Sequence, residues 1–175
     1  YPEYSRMIRN VNGRRFLQMT FAFGYVEDPA KPDPFRDLDW GMREFRSFHS
    51  VVEGFARSKN FRHVPIRQQE YGIPGTTVIG SSFEGEWGGL NYRIRVVASA
   101  GVDQMDLFAH SFAGDHEGFF GWFGHSRVGD GFDAIRFERM LESEPNRLSL
   151  TSDYQLVYWA GCNSYSYYTL PFFEM

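Results

Sequence analysis

Phe119-Phe120-Gly121-Trp122-Phe123-Gly124, followed by His125, and Tyr154-Gln155-Leu156-Val157-Tyr158-Trp159-Ala160-Gly161, followed by Cys162, are the two stretches whose reading decides the fold. Each is a short, almost wholly apolar and aromatic run that ends in glycine and then in a side chain able to do chemistry. Such runs read as strands buried on both faces, the pattern of strands inside a parallel sheet. Between them, Phe132 to Glu142 reads as a helix, so the unit is strand, helix, strand. A single crossover of that kind makes the two strands neighbours, roughly 4.8 Å apart, and brings His125 and Cys162 to the same carboxyl edge. That edge is where open α/β sheets bind ligands.

Working outward, Arg14 to Tyr25 (RRFLQMTFAFGY) reads as a first strand after the turn signal Asn12-Gly13. Glu27 to Asp37, with Pro29, Pro32 and Pro34, reads as a loop. Trp40 to Ser58 carries Trp40, Phe45, Phe48, Val51, Val52 and Phe55 at helical spacing and reads as an amphipathic helix. Gly72 to Gly89 is interrupted by Gly, Pro and Ser around Thr76 to Gly80, which suggests a short edge strand or hairpin. Tyr92 to Ala98 reads as a strand and Asp103 to Phe112 as a short helix. The alternation predicts an α/β fold, a three-layer sandwich with a mostly parallel central sheet. Residues 1–175 are expected to form one domain, since the length suits a single core and no repeat or low-complexity tract divides it.

Composition limits the function. Hydrophobic residues make up 42% and aromatics 18%, which argues against disorder. The formal net charge of −4 gives nucleic-acid binding no global electrostatic support. Sixteen of the 18 basic residues are Arg, a compositional bias before it is a recognition signal. No apolar run approaches the roughly 20 residues that cross a bilayer, so no membrane span is expected. The lone cysteine allows no intrachain disulfide. The chain begins at Tyr1 and not at Met, which suggests a processed product and leaves a secreted or periplasmic location open.

A lone thiol and an imidazole at neighbouring strand ends are the parts of a cysteine nucleophile and its base. The thiolate is the attacking species, and a nearby imidazole favours it by ion pairing or by taking the proton. Developing charge on a carbonyl substrate needs donors, for which the backbone N–H groups at Cys162 and at Ser126, after His125, are candidates. Gly161 lets the chain turn beside the nucleophile, and Asn163 and Ser164 are placed to begin a helix whose dipole lowers the thiol pKa.

Gly124-His125-Ser126 after one strand and Ala160-Gly161-Cys162-Asn163-Ser164 after the next resemble the caspase-like cysteine peptidase clan, which includes gingipain, clostripain, legumain and separase. The resemblance covers about residues 92–168, and the Gly-Cys-Asn-Ser stretch is closest to the separase type. It implies a caspase-like sandwich, a cysteine endopeptidase acting on protein or peptide substrates, His125 as general base or acid, Cys162 as nucleophile, and no cofactor. Ser126 stands where the clan usually has Gly. The clan also usually adds strands beyond this chain's end, which implies a fragment or processed portion and a contact to a missing C-terminal segment. The competing expectation is a catalytically inactive caspase-like protein-interaction domain.

Other chemistries are weaker. Gly124-His125-Ser126-Arg127-Val128 approaches the G-x-S-x-G elbow of α/β-hydrolases, but Val128 replaces the last Gly and no histidine follows His125, as that fold's triad order requires. His110, Asp115, His116 and Glu117 include metal-ligand types without a ligand spacing and read as a solvated helix end and loop. Calcium on Asp115, Glu117, Asp130 and Asp133 is no better supported. Gly129-Asp130-Gly131 reads as a turn. Arg6, Arg9, Arg14 and Arg15 read as a solvated basic face or a contact to a missing segment. The aromatic tail of Tyr165, Tyr167, Tyr168, Phe172 and Phe173 is expected to be core, an interface to absent residues, or the lining of a peptide groove.

Overall fold

The structure is a computed structural model that describes residues 3–25, 40–66, 77–100, 104–114, 117–124, 134–150 and 153–160. Its strands are β1 (Ile8–Val11), β2 (Arg14–Tyr25), β3 (Arg62–Pro65), β4 (Thr77–Trp87), β5 (Leu90–Ala100), β6 (Phe119–Phe123) and β7 (Leu156–Ala160). The helices are α1 (Trp40–Ser58), α2 (Gln104–Ala109), which continues as a π-type turn over His110–Gly114, and α3 (Ala134–Ser143).

All seven strands join one sheet in the order β3-β4-β5-β2-β6-β7, with β1 paired to β2 off that path. The fold is α/β, but the sheet is mixed and not mostly parallel. Pairs β2–β5, β2–β6 and β6–β7 are parallel. Pairs β1–β2, β3–β4 and β4–β5 are antiparallel. Two glycine-containing turns account for two of the three antiparallel pairs. Asn12 (φ 52°) and Gly13 (φ 76°) join β1 to β2, and Gly88 (φ 60°) and Gly89 (φ 73°) join β4 to β5. Two successive positive φ values fit a two-residue type I′ turn, whose twist matches that of the strands it connects. The region expected to hold a short edge strand or hairpin folds as the eleven-residue β4, which forms a hairpin with β5 and lies inside the sheet with β3 beyond it.

Strand alternation sorts the core into two layers. Met19, Phe21 and Phe23 of β2, Ile94, Val96 and Ala98 of β5, and Phe123 of β6 pack with Phe45, Phe48, Val52 and Ala56 of α1. Ala22, Val97, Phe120 and Trp122 face the other way, against Met105, Leu107 and Phe108 of α2 and Phe137 and Met140 of α3. The sheet thus carries helices on both faces, as expected. The inward stripe of α1 is Phe45, Phe48, Val52 and Ala56, while Val51 is 68% exposed and Phe55 37%. The helix ends where Asn60 takes φ 57° and the Phe61 N–H bonds to the Ala56 carbonyl at 2.9 Å, a left-handed cap that satisfies the last turn.

Among the described residues no helix is long and apolar enough to cross a membrane.

Candidate functional site

The four parallel strands lie in the order β5-β2-β6-β7, and their register brings their carboxyl ends to one edge. Tyr25 pairs with Ala100, Phe23 with Phe123, and Phe123 with Ala160. In chain order these are the second, first, third and fourth parallel strands, so the direction of winding reverses between β2 and β6. Doubly wound sheets open a ligand crevice at such a reversal, outside the carboxyl ends.

The strand pair read from the sequence is present. β6 and β7 are parallel neighbours, Trp122 pairs with Trp159, and α3 lies between them in the chain. Beyond the last register pair, the Gly124 N–H donates to the Ala160 carbonyl at 3.1 Å, so the two strands are still tied one residue before His125. Gly124 has to lack a side chain, because a Cβ there would lie 2.9 Å from the Trp122 indole. Phe123 is held by stacking on Phe23 (4.6 Å between centroids, 9° between planes) and by contact with Phe48 and Tyr158. His125, Ser126, Gly161 and Cys162 lie outside the described residues, as do Asp115, His116, Asp130, Asp133, the Gly129–Gly131 turn, the 27–37 loop and the aromatic tail.

The chain matches no known protein-family model, and no curated protein or solved structure gives a significant match to it.

A second constellation, which sequence reading did not single out, lies on the antiparallel side. His49 of α1 and His63 of β3 both direct Nε2 at the Ser81 hydroxyl of β4, at 2.9 Å and 2.7 Å. Ser81 is 5% exposed. His63 stacks on Phe83 at 5.2 Å and 18°, and Phe45 and Phe83 contact the His49 ring. Burial lowers the pKa of His49 below 6.5; the Glu53 carboxylate opposes that shift and His63 adds to it. Gly80 sets the position of Ser81. Its φ is 151°, and a Cβ there would collide with the Val96 carbonyl oxygen. Nothing in the spacing of residues 49, 63 and 81 announces this convergence, since the three belong to three elements.

On the opposite face of the same hairpin, Glu84 takes a hydrogen bond from Arg62 (2.7 Å) and lies 3.4 Å from Arg93 Nε. Burial pushes its pKa up, but the Arg62 bond and the two guanidinium charges outweigh that and hold it below the usual value.

The remaining candidates are corrected in part. Glu117 is fully buried, not solvated, with Arg95 Nη1 4.0 Å from its carboxylate, and Gln155 Nε2 donates to its backbone carbonyl at 2.8 Å. Among the described residues no group of three His, Cys, Asp or Glu side chains is disposed to hold a metal ion. The basic N-terminal cluster divides. Arg14 and Arg15 are exposed, whereas Arg9 is largely buried against Asp153 (3.2 Å) and Arg6 lies over the Tyr154 ring (4.8 Å). Those two arginines tie the chain start to the residues leading into β7.

Proposed function

We propose that this chain is a cysteine endopeptidase of caspase-like arrangement, with Cys162 as nucleophile and His125 as base and acid. The observation that carries the reading is the β6–α3–β7 unit. Its strands are parallel neighbours, paired up to Phe123 and Ala160, so the residues leading to His125 and Cys162 leave adjacent strands at one level of one edge. The reversal of winding beside β6 adds a second support, because doubly wound sheets bind ligands outside the carboxyl ends at such a point.

The chemistry follows from the two groups. The Cys162 thiolate attacks the scissile carbonyl carbon, and the oxyanion is met by backbone N–H groups at Cys162 and Ser126. Imidazolium His125 then gives its proton to the leaving amine, and the acyl-enzyme is hydrolysed by a water that His125 deprotonates. Gly161 gives the chain its freedom to turn at the nucleophile. The substrate class is a protein or peptide, and no step calls for a cofactor.

Iodoacetamide tests the pair directly. At pH 6 Cys162 should alkylate faster than a small free thiol, and His125→Ala should remove that advantage. Digestion of a peptide library, with Cys162→Ala as control, should give cleavage products only with the intact thiol. Equal alkylation rates together with no cleavage overturn the peptidase and leave a non-catalytic interaction domain.

A further inference from the structure

His49, Ser81 and His63 come from three separate elements, and their bonding has a built-in proton limit. A serine hydroxyl has one hydrogen to give and lone pairs to accept. With both rings neutral, Ser81 gives its proton to one Nε2 and accepts N–H from the other, so the two imidazoles hold opposite tautomers. A first proton can go to the outer nitrogen of the donating ring, and both bonds survive. A second proton must occupy the Nε2 that was accepting, so the Ser81 proton loses its acceptor. Two cations then face one oxygen from 2.7 Å and 2.9 Å.

We propose that His49, Ser81 and His63 form an acid-sensitive clasp that fixes helix α1 to the β3–β4 edge of the sheet and opens when both rings are protonated. Ser81 is buried on the α1 face of the sheet and both ring nitrogens are bonded to its hydroxyl, so we read the cluster as a fastening and not as a nucleophile. Among the described residues, Glu53 and His63 are the charged or titratable groups that act on His49. From α1, Glu53 favours the protonated His49, and its own carboxylate is bonded to Arg57 at 3.0 Å. From β3 comes His63 itself, while Arg62 and Glu84 project from the opposite face of the sheet. β4 contributes Phe83, which contacts both rings, and β2 and β5 present apolar side chains to α1.

The direction of the pH effect follows from His49. Its native pKa lies below the 6.5 of an unstrained ring. Above pH 6.5 neither the native nor the unfolded His49 carries the proton, and the clasp contributes in full. As pH falls below 6.5, the unfolded chain takes up a proton that native His49 resists, so stability falls until the native pKa is reached. The loss begins at pH 6.5, above the carboxylate range.

The release is local, so amide hydrogen exchange on the full chain is the measurement. Protection factors of α1 amides should fall about tenfold between pH 7.5 and pH 5, while those of β6, away from the clasp, stay within about threefold. Ring-nitrogen NMR at pH 7.5 should show one Nδ1–H and one Nε2–H tautomer for His49 and His63. In His49→Gln/His63→Gln the acid fall in α1 should vanish. Should that variant not fold, Ser81→Ala serves: its α1 protection should already be low at pH 7.5 and should not fall further. Unchanged α1 protection in the wild type, an acid fall that persists in either variant, or two like tautomers would overturn the clasp. The result does not depend on Cys162 or His125.

Discussion

The parallel half of the sheet and its antiparallel wing hold their chemistry by different means. Along β2, β6 and β7 the chain itself does the positioning, because every parallel strand delivers the residues after it to the same edge. On the wing, pairing of β3 with β4 brings His63 to Ser81, and the packing of α1 over those strands adds His49. The first arrangement tolerates changes in packing as long as strand order holds. The second depends on the packing of α1 for its His49 bond, and its three residues are recognisable only in three dimensions.

Breaking the core under each region should show the contrast. Trp122 is fully buried under Phe108 (5.4 Å, 86° between rings) and within reach of Trp159. Trp122→Ala should cost about 3–5 kcal/mol in urea unfolding. It should also loosen β6 and β7 before the wing, as amide exchange would show. A cost under about 1 kcal/mol would mean that α2 and α3 are not held to the sheet by this aromatic cluster. On the wing the comparable weak point is backbone, not side chain. Gly80→Ala places a Cβ against the Val96 carbonyl at a φ that L-residues rarely adopt, and should cost about 2–4 kcal/mol. The same variant should displace Ser81 and so reduce α1 protection at neutral pH. A change within about 0.5 kcal/mol would show that β4 relaxes freely and that Gly80 does not set the clasp.

What the sequence made legible divides along the same line. α1 is read from helical spacing and β2, β6 and β7 from apolar, aromatic runs, all local signals, and β2 and α1 match their expected bounds; β7, read as buried, is the last strand of the sheet and leaves Val157 38% and Tyr158 52% exposed. The neighbourhood of β6 and β7 is legible too, because one helix between two apolar strands leaves little other choice. The four-residue strands β1 (IRNV) and β3 (RHVP) carry no usable alternation, and they form because longer strands offer them an edge. The mixed character of the sheet was hidden in Gly88-Gly89, read as the end of an interrupted region when it is the turn between two long strands. Glu117 reads as solvated because a charged residue beside Gly, Asp and His belongs to a loop, whereas the fold closes Arg95 over it. The His–Ser–His clasp has no linear signature at all.

The smallest expected effect sharpens the comparison most, because it touches the wing's electrostatics without touching its packing. Arg57 is bonded to Glu53 across one helical turn and is 79% exposed. Arg57→Ala should cost only about 0.3–0.5 kcal/mol, the usual worth of an exposed i,i+4 pair. It also leaves the Glu53 carboxylate without a compensating cation. Glu53 then favours protonated His49 more strongly, the native pKa of His49 moves up toward its unfolded value, and the acid fall in α1 protection becomes smaller. Two readings on one variant therefore separate two effects: urea unfolding near pH 7.5 reports the lost pair, and α1 exchange against pH reports the field at His49. An unchanged acid fall in α1 protection with the small stability loss present would mean that Glu53 does not govern the clasp, and that burial and His63 alone set His49.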